Sequence, residues 1–270
     1  IHNPVRNKGT AFDKREREIL GLRGLLPPRI LNQDEQAGRI MENFHKKPDD
    51  LERYISLTSL QDRNENLFYR VVIDHLETIM PIIYTPTVGK ACQNYGHIYR
   101  RSRGLYLSYE DRGHFREILR NWPHSDARVI VVTDGGRILG LGDLGLNGMG
   151  IPIGLQQRRV GKSEYQQVLD EFVEAVQEVF PKALIQLEDF ATKQAFGFLH
   201  RYRDKACLFD DDIQGTAAVA LAGVFSALRI TGGSLQDQRF LFLGAGEAGI
   251  GIGDIITAAL VEEGLSEKEA

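Results

Sequence analysis

Residues 239–249 read Arg239-Phe-Leu-Phe-Leu-Gly244-Ala-Gly246-Glu-Ala-Gly249, an apolar run that feeds a G-x-G-x-x-G signature. The run has strand character, and a helix is expected to follow the glycines to about Gly264. In that setting Gly244 allows a tight turn, Gly246 lets a pyrophosphate approach the backbone, and Gly249 permits close helix–strand packing. The helix N-terminus adds partial positive charge for phosphates. A tight βα turn that binds nothing carries the same signature. The acidic residue that distinguishes the two belongs roughly twenty positions further on, after a second strand. The chain reaches Ala270 before that strand.

Upstream, strands alternate with helices. Val129-Ile-Val-Val132 is β-branched and ends in the turn Thr133-Asp-Gly-Gly136. Ser163-Glu-Tyr-Gln166 has the form of a capping box. Tyr165, Val168, Phe172, Val176 and Val179 then share one helical face up to Pro181. Ala183–Leu187 reads as a buried strand, and Gly215–Ile230 as a buried helix with few polar residues. This alternation argues for a doubly wound α/β architecture with a parallel sheet. Residues 1–102 are helical in pattern instead. There Leu67, Val71, Leu76 and Ile79 keep helical spacing from Asn64 until Pro81. Between the two textures, Gly140, Gly142, Gly145, Gly148, Gly150 and Gly154 crowd a stretch that cannot be regular helix or strand. The expected division is a helical N-terminal domain over 1–102, a central α/β domain over 103–211, and the start of a Rossmann-type dinucleotide-binding domain over 212–270.

Composition narrows the function classes. The 270 residues suit about two average domains. With 42% hydrophobic and 26% charged residues, the chain has the balance of a folded globular protein. A net charge of −4 supplies no basic field for nucleic acid or an anionic membrane surface. The longest apolar stretch, Ala217–Leu228, falls short of the roughly twenty residues a bilayer needs, so no membrane span is expected. Arg6, Lys8, Asp13, Lys14 and Arg15 exclude a secretory apolar region near the start. Cys92 and Cys207 lack metal-ligand or redox spacing and fit a reducing cytosol or organelle matrix.

Three groups of residues could carry chemistry. Glu188 and Asp189 close a predicted parallel strand, at the edge where α/β proteins place ligands. Asp210, Asp211 and Asp212 precede the Gly215 helix, one strand–helix–loop passage away. Converging carboxylates suit a hard cation, Mg²⁺ or Mn²⁺. Equally, the aspartates could cap a helix and Glu188 could sit in a solvated loop. Tyr84, between Pro81 and Pro86, could donate a proton or simply pack. Arg137 could clamp a substrate carboxylate in bidentate fashion or be a surface charge.

In this order the pieces resemble the malic enzymes. The stretches that carry the likeness include Asn7-Lys-Gly-Thr-Ala-Phe12, Gly24-Leu-Leu-Pro-Pro28, Gln61-Asp-Arg-Asn-Glu65 and Tyr84-Thr-Pro-Thr-Val-Gly89. Others are Val131-Val-Thr-Asp-Gly135, Arg137-Ile-Leu-Gly-Leu-Gly-Asp143, Gly148-Met-Gly-Ile-Pro152, Glu188-Asp-Phe190 and Asp211-Asp-Ile-Gln-Gly215, with the glycine signature closing the series. The resemblance implies oxidative decarboxylation of L-malate to pyruvate and CO₂ with reduction of NAD or NADP. Tyr84 resembles the general acid that protonates the enol of pyruvate, and Arg137 the arginine that holds malate. Glu188, Asp189 and Asp212 resemble the ligands of Mg²⁺ or Mn²⁺, with Asp211 matching a neighbouring site aspartate. Gly244, Gly246 and Gly249 take the dinucleotide. A homodimer or homotetramer in the cytoplasm, or alternatively in the mitochondrial matrix, goes with that family.

The departures are as informative. Malic enzymes continue the Gly148–Gly154 motif into a lysine that acts as general base, and here Leu155 stands in its place. Gln156-Gln-Arg-Arg159 resembles a segment found further along the family's chain, so a block is expected to be absent between Gly154 and Leu155. Asp210 replaces an asparagine. Arg39 and Arg63 match two fumarate-binding arginines of regulated members, but Leu31 replaces their acidic partner, so fumarate activation is not expected. The chain as it stands is expected to oxidise malate very slowly. A malic-enzyme remnant that keeps only metal and partial nucleotide binding is the alternative.

Overall fold

A computed structural model of the chain describes residues 2–102, 104–138, 142 and 161–270. Leu155, Gln156–Arg159 and most of the glycine-dense stretch lie outside the described residues. The described chain forms two compact units, one up to Ser102 and one from residue 104 onward.

The first unit is helical: α1 (Lys14–Ile19), α2 (Gln33–His45), α3 (Asp50–Arg63), α4 (Glu65–Asp74), α5 (Leu76–Ile83), α6 (Thr87–Gln93) and α7 (Tyr95–Ile98). Asp13 and Asn32 start α1 and α2 through reciprocal caps with Glu16 and Glu35. Leu57, Leu60, Val71 and Ile79 form the centre of the core. The helix expected to stop at Pro81 runs on to Ile83. A proline removes one hydrogen-bond donor from the helix, and the burial of Ile79 and Ile82 on either side outweighs that loss.

The second unit holds α8 (Phe115–Arg120), β1 (Val129–Val132), α9 (Lys162–Val179), β2 (Leu184–Leu187), α10 (Thr192–Tyr202), β3 (Leu208–Asp210), α11 (Thr216–Thr231) and α12 (Glu247–Glu262). The strands pair in parallel in the order β1-β2-β3. Val132, Leu187 and Asp210 therefore stand in one row, and every strand delivers its following loop to the same edge. Phe172, Val176, Ile185, Phe190 and Phe198 fill the core behind it. α9 begins ahead of the predicted Ser163 box. Gly161 is its cap residue, and the Glu164 carboxylate accepts the Gly161 N–H at 3.1 Å.

Two expectations are corrected here. Arg239–Leu243 is not a strand; Leu241 and Leu243 are 96% and 105% exposed. The apolar helix α11 is also open to solvent, with Ala217 its buried residue and Val219 exposed. Both follow from one requirement: an apolar run becomes a buried strand or helix only where a second layer covers it. α11 packs on α12 and on the turn that precedes it. By length and apolar composition alone, the helical run Asp211–Thr231 could cross a membrane. Its first turn, however, carries two aspartates at the sheet edge.

Candidate functional site

The parallel sheet brings four of the predicted residues to one corner through the peptide of Asp189. Its N–H donates to Asp212 Oδ2 at 2.8 Å, and its carbonyl accepts the N–H of Arg137 at 2.9 Å. The N–H of Glu188, one residue earlier, donates to the Val132 carbonyl at 3.0 Å. To make these contacts Asp189 takes φ of 56°, in the left-handed region that few residues other than glycine adopt. Strain of this kind persists where the surroundings over-determine it.

After β3 the chain enters a π-helical turn, Asp211–Gly215. Such turns recur at functional sites. Asp210 is 1% exposed and caps the turn, accepting the Ile213 N–H at 3.1 Å. Asp211 lies over Gly215, where an added Cβ would come within 2.2 Å of Asp211 Oδ1.

The corner is rich in negative charge. Burial first, and repulsion by Asp212 and Glu188 next, push the Asp189 carboxyl up to about 6. Burial pushes Asp210 up to about 7, against the hydrogen bond from Ile213. Glu188 and Asp212 are also raised, mainly by burial, with neighbouring carboxylates adding to it. A dication reverses each of these penalties, and carboxylate oxygens are its natural donors. Among the described residues, no three such side chains are arranged around a common point. Asp212 instead accepts an N–H from Asp189, and Glu188 Oε2 accepts from Gln186 Nε2 at 2.9 Å. The donor chemistry fits a hard cation, with internal N–H groups occupying part of the carboxylate surface.

The glycine signature follows in the same unit. Gly244 has φ of 118°, and an added Cβ at Gly249 would lie 2.9 Å from the Gly244 carbonyl oxygen. Gly246 caps α12. The structure also shows a residue that the sequence reading passed over. Glu247, a variable position of the signature, is half-buried, and its carboxyl is raised by burial and by Asp212. The glycine spacing alone does not single it out.

Tyr84 belongs to the first unit. It ends α5, where its N–H donates to the Met80 carbonyl, and its side chain is exposed. Arg39 and Arg63 line a hollow of about 260 Å³ in that unit with Asn7, Gln36 and Asn64. Leu31 is buried.

Comparison with known proteins gives consistent matches. The family model "Malic enzyme, N-terminal domain" matches residues 61–155 and 152–203, and "Malic enzyme, NAD binding domain" matches 213–270. The whole chain is 48% identical to 56% of the NADP-dependent malic enzyme of Columba livia. The mitochondrial enzyme of Mus musculus is 47% identical, over 99% of this chain and 51% of the relative. For the chloroplastic enzyme of Oryza sativa subsp. japonica the figures are 44%, 97% and 47%. The chain spans about half the length of the curated relatives it matches. The N-terminal model matches in two pieces that meet at 152–155, and the Columba alignment runs over 309 positions, 39 more than the 270 residues here.

Proposed function

We propose that this chain, which belongs to the malic enzyme family, carries the cation site, substrate arginine and dinucleotide turn of an enzyme that oxidises L-malate and decarboxylates it to pyruvate and CO₂. The observation that carries the reading is the Asp189 peptide, which ties the Arg137 turn to the Asp212 turn beside Glu188. Glu188, Asp189 and Asp212 would hold a dication, Mg²⁺ or Mn²⁺, which would supply Lewis-acid chemistry toward malate when bound. Arg137 offers an exposed guanidinium to a malate carboxylate. Gly244, Gly246 and Gly249 let a pyrophosphate approach the N-terminus of α12. The nicotinamide cofactor is NADP in this reading, as in the relatives. Tyr84 supplies the proton at C3 of the enol, and Asp211 stands beside the cation ligands. Homodimeric or homotetrameric assembly, and a place in the cytoplasm or the mitochondrial matrix, complete the reading.

A second reading concerns the rate. The two-piece family match and the 39 extra aligned positions support a stretch absent at Gly154–Leu155. With it goes the lysine that would take the C2 hydroxyl proton. Leu155 has no lone pair, and arginines stay protonated. General bases contribute roughly 10²–10⁴-fold, so malate oxidation falls by about that factor. Decarboxylation of added oxaloacetate needs the cation and Tyr84 but neither base nor nucleotide. The purified chain is therefore expected to decarboxylate oxaloacetate in the presence of Mn²⁺ while barely oxidising malate. Malate oxidation near an ordinary turnover of about 10 s⁻¹ contradicts the missing base. Loss of both activities favours the non-catalytic remnant.

A further inference from the structure

α12 meets the π-helical turn at a distance that admits no side chain. A Cβ on Gly251 would lie 2.4 Å from the Ile213 carbonyl oxygen and 3.1 Å from its carbon. Ile213 follows Asp212, and its N–H is the one Asp210 holds. A shift of α12 is thus passed to backbone one residue from Asp212, because close-packed groups transmit displacement. One turn earlier, Glu247 reaches the same corner. Its Oε1 is buried without a hydrogen-bond partner among the described residues. Asp212 and Asp189 repel it and Arg137 attracts it. A negative charge of the carboxylate corner therefore stands inside the glycine signature, between Gly246 and Gly249.

We propose that Glu247 and Gly251 couple the dinucleotide turn to the carboxylate turn, so that a dication at the corner tightens nucleotide binding. The inference rests on the function proposed above. Without a cation, Glu247 adds its charge beside the place where a pyrophosphate lies, and the two anions oppose each other. With a cation, that charge is offset, and the N-terminus of α12 attracts the phosphates unopposed. By linkage the nucleotide strengthens cation binding by the same factor.

The test measures NADP affinity of the intact chain at pH 8, with and without saturating Mn²⁺, after Mn²⁺ binding alone has been recorded. Coupling between sites typically spans about 5–150-fold, and roughly tenfold tighter NADP binding with Mn²⁺ is expected. Glu247→Gln should cut that factor below about threefold, chiefly by improving affinity without Mn²⁺. A merely structural role would weaken binding under both conditions instead. Glu247→Asp, which keeps the charge, should keep the coupling. Asp212→Ala must abolish the Mn²⁺ effect, which separates it from Mn²⁺ carried by free nucleotide. NADP affinity indifferent to Mn²⁺, no NADP binding in either condition, or undiminished coupling in Glu247→Gln overturns the proposal. Absence of Mn²⁺ binding by the unaltered chain overturns the functional reading as well, which distinguishes the two failures.

Discussion

At the C-terminal end of α10, Arg201 and Tyr202 meet Asp170 of α9, while Glu188, Asp189, Asp210 and Asp212 gather where β2 and β3 end. Asp170 takes two parallel hydrogen bonds from Arg201, at 2.8 and 2.7 Å, and a third from the Tyr202 hydroxyl. The Arg201 guanidinium holds its carboxyl below the usual range. In turn, burial first and then Asp170 push the Tyr202 phenol up. At the strand ends the same residue type moves the opposite way, with Asp189 at about 6 and Asp210 at about 7. The difference is an internal cation. Asp170 has a guanidinium partner in the fold, whereas the acids at the sheet edge are met by single N–H donors and repel one another.

The largest expected effect separates the two sites by function. Asp212→Ala should weaken Mn²⁺ binding by more than about 100-fold, since even outer partners of metal ligands cost 10–100-fold. Asp170→Ala should leave Mn²⁺ affinity unchanged. Isothermal calorimetry on both variants decides the point, and equal losses would erase the distinction.

Stability against pH gives the next largest effect. The folded state raises Asp210 from 3.8 to about 7, so the native protein binds more protons than the unfolded chain between those values. Its ionisation therefore costs nothing near pH 4, costs more as pH rises, and costs the full amount above 7. Asp210→Asn keeps an acceptor for the Ile213 N–H and removes the charge. At 1.36 kcal/mol per pH unit, it should stabilise the cation-free chain by about 4 kcal/mol at pH 8 and by little at pH 4. Urea unfolding in a chelator at the two pH values measures this, and a pH-independent effect contradicts it.

The smaller effect has the opposite sign. Asp170 is lowered by Arg201, so its contribution is complete above the ordinary carboxylate value and fades as pH falls through the folded one. The pair is partly solvated, with side chains 31% and 44% exposed, which limits its worth to about 1 kcal/mol. Asp170→Asn should destabilise by that amount at pH 7, and the difference should vanish in acid. The same denaturant series checks it.

Much of this was legible in the sequence, for identifiable reasons. Val129–Val132 and the strand up to Leu187 announce themselves because β-branched and apolar runs between turns have few alternatives. Once those strands are parallel, the register carries Glu188, Asp189 and Asp212 to one edge. Asp13 and Asn32 cap their helices through local chemistry, yet the sequence reading did not single them out. Burial is not local: the apolar character of α11 says that it can be covered, not by what. The run Arg239–Leu243 has strand composition, yet a ladder needs a neighbour, and none lies beside it among the described residues. Glu247 escaped because a spacing rule fixes the glycines and leaves the intervening side chains open. The left-handed Asp189 escaped because two long-range hydrogen bonds, to Arg137 and Asp212, set its backbone.

The cation site proposed on Glu188, Asp189 and Asp212 is the centre of this reading of the carboxylate corner. The unfolding free energy of the intact chain at pH 8, measured against Mn²⁺ concentration, tests it most directly. The account predicts a logarithmic rise that reaches about 2.7 kcal/mol at one hundred times the dissociation constant, absent in Asp212→Ala and retained in Asp170→Asn. A flat curve for the unaltered chain, or the same rise in Asp212→Ala, would contradict it.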